Sequence, residues 1–143
     1  MSSPPRVLFV CVKNGGKSQM AAGLMRQVAG SAVVVDSAGT QAGNVLNAQS
    51  VESLAEVGVD ISSQRTQQVT DDLVRAADLV VVLGGDASVD PVDGTPVEVW
   101  TIDEPSSRGI EGMERMRLVR DDIHGRVRQL ATRLRAGGPS RTP

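Results

Sequence analysis

A single cysteine, Cys11, rules out any disulfide within the chain, and a single histidine, His124, leaves too few soft ligands for a zinc site, so no metal is expected. Tyrosine is absent, and Phe9 and Trp100 are the only aromatic residues. With so little to stack bases on, and 15 Lys+Arg against 17 Asp+Glu for a formal charge of −2, nothing marks a nucleic-acid surface. No apolar run approaches the ~20 residues that cross a bilayer, so no membrane contact is expected. The opening "MSSPPR" lacks the charged-then-apolar order of a secretory signal, and a cytoplasmic protein is expected.

The 143 residues suit one domain, and a chain of this length buries roughly 68–70% of its unfolded surface without cross-links. Residues 6–10 are a nearly all-apolar run, as in a strand covered on both faces. A helix is expected from about Ser18 to Gly30, with Met20, Ala21, Leu24, Met25 and Val28 on its inner face. A second strand is expected at 32–36, closed by a turn at "SAGT", residues 37–40. Residues 45–57 have a helical pattern that ends at Gly58, and Thr70 caps a short helix reaching about Ala77. Residues 78–83 and 97–100 complete the strands. In a last helix over 111–135, Met116, Val119, Ile123, Val127, Leu130 and Leu134 form one apolar stripe; His124 and the basic residues between 126 and 135 fall on its solvated side. Strands alternating with helices predict a single doubly wound α/β domain over residues 6–136. Its sheet is mostly parallel and four-stranded, with helices on both faces. The Pro-, Ser- and Gly-rich ends, 1–5 and 137–143, are expected to be flexible tails.

The stretch "VLFVCVKNGGKS" places Cys11 where the first strand yields to a helix, the end of a parallel sheet at which ligands bind. Gly16, Lys17 and Ser18 match the end of a nucleotide-binding loop, but its first glycine is replaced by Cys11. Backbone N–H groups of Val12, Lys13, Asn14, Gly15, Gly16, Lys17 and Ser18 can instead curl around an oxyanion. The helix N-terminus adds positive potential there and Lys17 a full charge. The same field suits a thiolate at Cys11. The plainer alternative is an inert cysteine at the end of a core strand. Asn14 can hold the loop by side-chain hydrogen bonds in a left-handed conformation. Ser18 can donate to the thiolate or cap the helix, and the Lys13 side chain is expected to face solvent.

"CVKNGGKS" resembles the C-x5-R-S loop of the low-molecular-weight protein tyrosine phosphatases, whose fold the thioredoxin-coupled arsenate reductases share. "SAGT", residues 58–87, "VWTIDEP" and "RLVRDDIHGRV" follow in the order those reductases show, so the likeness spans about residues 6–134. The resemblance puts a resolving cysteine at Gly84 and another near Asp90, and in many phosphatases one at Gly16; none is present. Lys17 stands for the loop arginine, a single mobile charge in place of a two-pronged fork. One loop cysteine with "NGGKS" and "IDEP" is most similar to the mycothiol-dependent arsenate reductases, the arsenate–mycothiol transferases.

That resemblance implies Cys11 as nucleophile, Lys17 and the 12–18 backbone as the oxyanion holder, and a general acid at Asp103 or Glu104, with Asp103 slightly preferred. It implies arsenate as substrate, with phosphate or sulfate as analogues. No cofactor is tightly bound; mycothiol serves as thiol co-substrate, and mycoredoxin as the partner that releases arsenite. The alternatives are a phosphatase for small or protein phosphomonoesters, and a non-catalytic oxyanion-binding or thiol-sensing module.

Overall fold

The computed structural model describes residues 3–136. The trailing segment 137–143 and the first two residues of the leading one lie outside the described residues. Strands β1 (Arg6–Cys11), β2 (Val34–Gly39), β3 (Leu79–Leu83) and β4 (Val97–Trp100) form one sheet in the order β2-β1-β3-β4. Every neighbouring pair is parallel. Parallel neighbours require crossover connections: helix α1 (Lys17–Ala29) lies between β1 and β2, α2 (Ala48–Ala55) and α3 (Asp71–Ala76) between β2 and β3, residues 84–96 join β3 to β4 without a helix, and α4 (Gly112–Arg135) follows the last strand.

The two-residue period of a strand sends alternate side chains to opposite faces. Val7 and Phe9 of β1, with Leu79, Val81 and Leu83 of β3, join the larger core, which is closed by α1, α2 and the apolar stripe of α4. Leu8, Val10, Val80 and Val82 point the other way, onto Val74 of α3. Cys11 continues the Val7–Phe9 series and so lies on the α1–α4 side. Among the described residues no helix is long and apolar enough to cross a membrane.

The structure moves β2 along the chain from the expected 32–36. Gly30–Ala32 form a short 3-10 turn, and the strand continues through Ser37, Ala38 and Gly39, which pair with Phe9, Val10 and Cys11. The expected turn at "SAGT" is therefore mostly strand, because a continuous β1 neighbour outweighs the poor strand propensity of Ser and Gly. Gly39 is required there: a Cβ would stand 2.5 Å from the Val12 carbonyl oxygen. Helix α2 begins later than the pattern suggests, because Asn47 caps it by accepting from the Ser50 N–H at 2.9 Å. Val45, expected inside that helix, is 78% exposed. Helix α3 follows its sequence signals, with the Thr70 hydroxyl accepting from the Leu73 N–H at 3.2 Å.

Candidate active site

Cys11, the last residue of β1, is 8% exposed. Beyond it the chain turns through residues 12–16 into α1, whose N-cap, Gly16, makes no side-chain capping bond. Ser18 is thus inside the helix and is not its cap. Its hydroxyl lies 2.9 Å from the Cys11 sulfur. Asn14 leaves the Ser18 hydroxyl able to donate in that contact. Fully buried and at φ 58°, it accepts on Oδ1 from the Gln67 N–H at 3.0 Å and from Gln19 Nε2 at 3.3 Å. Its Nδ2 is left to donate to Ser18 Oγ at 2.7 Å. Ser18 Oγ accepts from Asn14, so its own hydrogen is free to point at sulfur, the donor a thiolate needs.

The loop is anchored by its carbonyl groups. Those of Cys11, Val12, Lys13 and Gly15 accept from the N–H groups of Thr40, Gln41, Gly43 and Asn47 at 3.0, 2.8, 2.9 and 2.7 Å. The N–H groups of residues 13–18 donate to nothing among the described residues, so they remain available to an anion. Gly15 permits the close approach, since a Cβ there would stand 2.8 Å from the Val45 carbonyl oxygen.

Lys17 and Glu104 meet at the edge of this loop, Nζ to Oε2 at 3.6 Å. Glu104 also accepts from Arg115 through Nε at 2.9 Å and Nη2 at 2.5 Å, and from the Ser106 hydroxyl at 3.1 Å. The Arg115 guanidinium, with help from Ser106 and Lys17, holds the Glu104 carboxyl below the usual carboxylate range. Asp103 is held low as well, by the Arg108 fork at 2.8 and 3.1 Å. Its backbone N–H donates to Asp122 at 2.7 Å. Of the two expected carboxylates, Glu104 reaches the loop lysine and Asp103 pairs with Arg108.

A cavity of about 440 Å³ opens at Cys11. It is lined by the loop, including Lys13 and residues 15–17, by residues 43–47, and by Met20, Ser50, Arg115, Met116 and Val119. Sequence reasoning missed Arg115 and residues 43–47. Arg115 directly precedes Met116 of the apolar stripe, which was the available signal. Asp103 and Glu104 do not line this cavity. Nor does either aromatic residue, for Phe9 and Trp100 pack together in the core with ring centroids 5.8 Å apart. His124 is partly buried on α4, where desolvation and Arg128 push its pKa down, and it does not line the cavity. Position 84 borders the loop: a Cβ there would lie 3.9 Å from Lys17 Nζ, and the φ of 98° is one that glycine adopts without strain.

A parallel α/β domain that sets one cysteine at a strand end, beside a loop whose amides are free, has the form of the cysteine-loop phosphatase class. Residues 6–139 match the low molecular weight phosphotyrosine protein phosphatase family, and the chain belongs to that family. Its relatives include an arsenate reductase of Bacillus subtilis (strain 168), 38% identical over 132 residues that cover 87% of this chain and 94% of the relative. A thioredoxin-dependent arsenate reductase of Corynebacterium glutamicum superposes with a TM-score of 0.80 at 33% identity over 94% of this chain; the match spans 64% of that longer protein. An arsenate reductase in its phosphate-binding state gives a TM-score of 0.76 at 28% identity, covering 91% of this chain and 98% of its own.

Proposed function

We propose that this protein is an arsenate reductase that uses Cys11 as its nucleophile and draws its second thiol from another molecule. The observation that carries the reading is the lone cysteine of the chain, hydrogen-bonded to Ser18 and set in a loop whose amides are free. The arsenate reductase relatives support the choice of oxyanion. Arsenate is held by the N–H groups of residues 13–18 and by Lys17. The Cys11 thiolate attacks arsenic, and one As–O bond breaks, its oxygen leaving as water with uptake of a proton. Of the two carboxylates, Glu104 is the one that meets the loop, through Lys17; Arg115 keeps it ionised at rest, so its part is to relay that proton from solvent, while Asp103 pairs with Arg108.

The Cys11–S–As(V) adduct is then attacked at arsenic by mycothiol, which frees the Cys11 thiolate and carries away an arseno-thiol. A mycoredoxin thiolate attacks the sulfur of that adduct, and the S–As electron pair passes to arsenic. Arsenite and a mixed disulfide result, so both electrons come from thiols outside this chain. A phosphotyrosine substrate is not favoured, because both aromatic residues lie in the core and leave the cavity without a ring to stack on the phenyl group.

Arsenate-dependent NADPH consumption tests the reading. Mycothiol with mycoredoxin and its reductase should sustain turnover, thioredoxin with its reductase should give almost none, and Cys11→Ser should abolish activity. Equal turnover with thioredoxin alone would overturn the mycothiol assignment and point to a redoxin attacking the enzyme adduct directly.

A further inference from the structure

The cavity beside Cys11 is far larger than a four-oxygen anion. Besides the loop, Met20, Val45, Leu46, Met116 and Val119 line it and form an apolar bed. Val45 is 78% exposed at the mouth, an apolar side chain that the fold itself leaves uncovered. Over this bed stands Arg115. Its Nε and Nη2 are both held by Glu104, which fixes the plane of the guanidinium, while Nη1 donates to nothing among the described residues. Arg115 lines the cavity, and its uncommitted nitrogen can donate to a ligand that enters.

We propose that this bed and Arg115 form the binding site of the second substrate, a small thiol with a carbon body and a carbonyl or carboxylate oxygen. The inference rests on the arsenate reductase reading, in which an external thiol must reach an adduct on Cys11. Cys11 and Arg115 line the same cavity, so a thiol held by its oxygen at Arg115, with its body against Met116 and Val45, lies beside the reacting sulfur. Arg115 here is a residue for thiol affinity, distinct from Lys17 at the oxyanion.

The test combines steady-state kinetics with titration of a thioether that cannot react, S-methyl mycothiol, into protein saturated with phosphate. The wild type should bind it. Arg115→Gln, and separately the uncharged Val45→Ser at an exposed position that does not endanger folding, should each weaken binding and raise the thiol KM by about tenfold, the scale of one charge-assisted hydrogen bond or a lost apolar contact. The arsenate KM should stay unchanged, and Arg115→Lys should recover part of the loss. Turnover in the wild type with thiol KM and thioether binding unmoved by either substitution overturns this site and leaves the reductase reading standing. A rise in arsenate KM alone on Arg115→Gln also overturns it, by assigning Arg115 to the oxyanion. Arg115-dependent thioether binding without arsenate turnover supports the thiol site and removes the reductase reading. Absence of both binding and turnover removes both.

Discussion

Asn14 shows how much a single side chain decides. It occupies the left-handed region, which costs most residues ~1–2 kcal/mol, and it holds the loop through one backbone donor, one side-chain donor and one side-chain acceptor. Asn14→Ala removes the acceptor for the Gln67 N–H and for the buried Gln19 amide; it should lower unfolding free energy by about 2 kcal/mol, the scale of a buried donor left unpaired. Asn14→Gly relieves the backbone cost and should lose about 1 kcal/mol less than alanine, measured as the difference in urea midpoints. At the two carboxylates, the proposed proton role predicts that Glu104→Gln reduces arsenate turnover on the order of 10²-fold or more, and Asp103→Asn much less. Equal effects would remove the distinction drawn from their contacts. The pattern "DEP" put both residues near the site, but which one turns toward Lys17 depends on where Arg108 and Arg115 stand, and no local spacing encodes that.

Among the elements, β2 and its last residue set the height of the loop. Gly39 ends the strand against the Val12 carbonyl, and the following N–H groups of Thr40, Gln41 and Gly43 hold the loop carbonyls. Gly39→Ala forces backbone against backbone, which no rotamer change can relieve. Phosphate is expected to raise the parent's melting temperature by binding only the native loop; the variant should retain its helical circular dichroism and lose that rise. An undiminished phosphate shift would show that the loop does not depend on this contact. Helix α2 serves the same loop from the other side, since Asn47 both caps the helix and donates its N–H to the Gly15 carbonyl. Asn47→Ala should cost about 1 kcal/mol as a lost cap, read from thermal unfolding. The strand and helix types were legible from periodicity. Their ends were not, because Ser37–Gly39 become strand through pairing with β1 and Val45 loses its place in a helix to a cap two residues later.

At the scale of the whole molecule, Glu56 joins the end of α2 to α4, accepting from Arg117 at 2.8–3.1 Å and from Arg120 at 2.8 Å. The Arg117 hydrogen bonds, reinforced by Arg120, lower its pKa from 4.5 to about 2. A carboxyl with a depressed pKa in the folded state contributes stability that is complete above its unfolded value and disappears as pH falls through the folded one, here between about 4.5 and about 2. Glu56→Gln should therefore be less stable than the parent at pH 7, and the gap in urea midpoint should close toward pH 2; a constant gap would refute the linkage. The sequence by itself determined the doubly wound α/β class, the four strands and four helices, and the loop cysteine at a strand end, because strand and helix periods and glycine placement are local properties of the chain. It also determined that any second thiol is external, a matter of counting. Only the tertiary structure decided that Ser18 faces sulfur instead of capping α1, that Glu104 and not Asp103 meets Lys17, and that Arg115 of the last helix lines the cavity of the first loop. Those pairings join residues up to a hundred positions apart, and they exist only once parallel strands and the packing of α4 on α1 have set the distances between them.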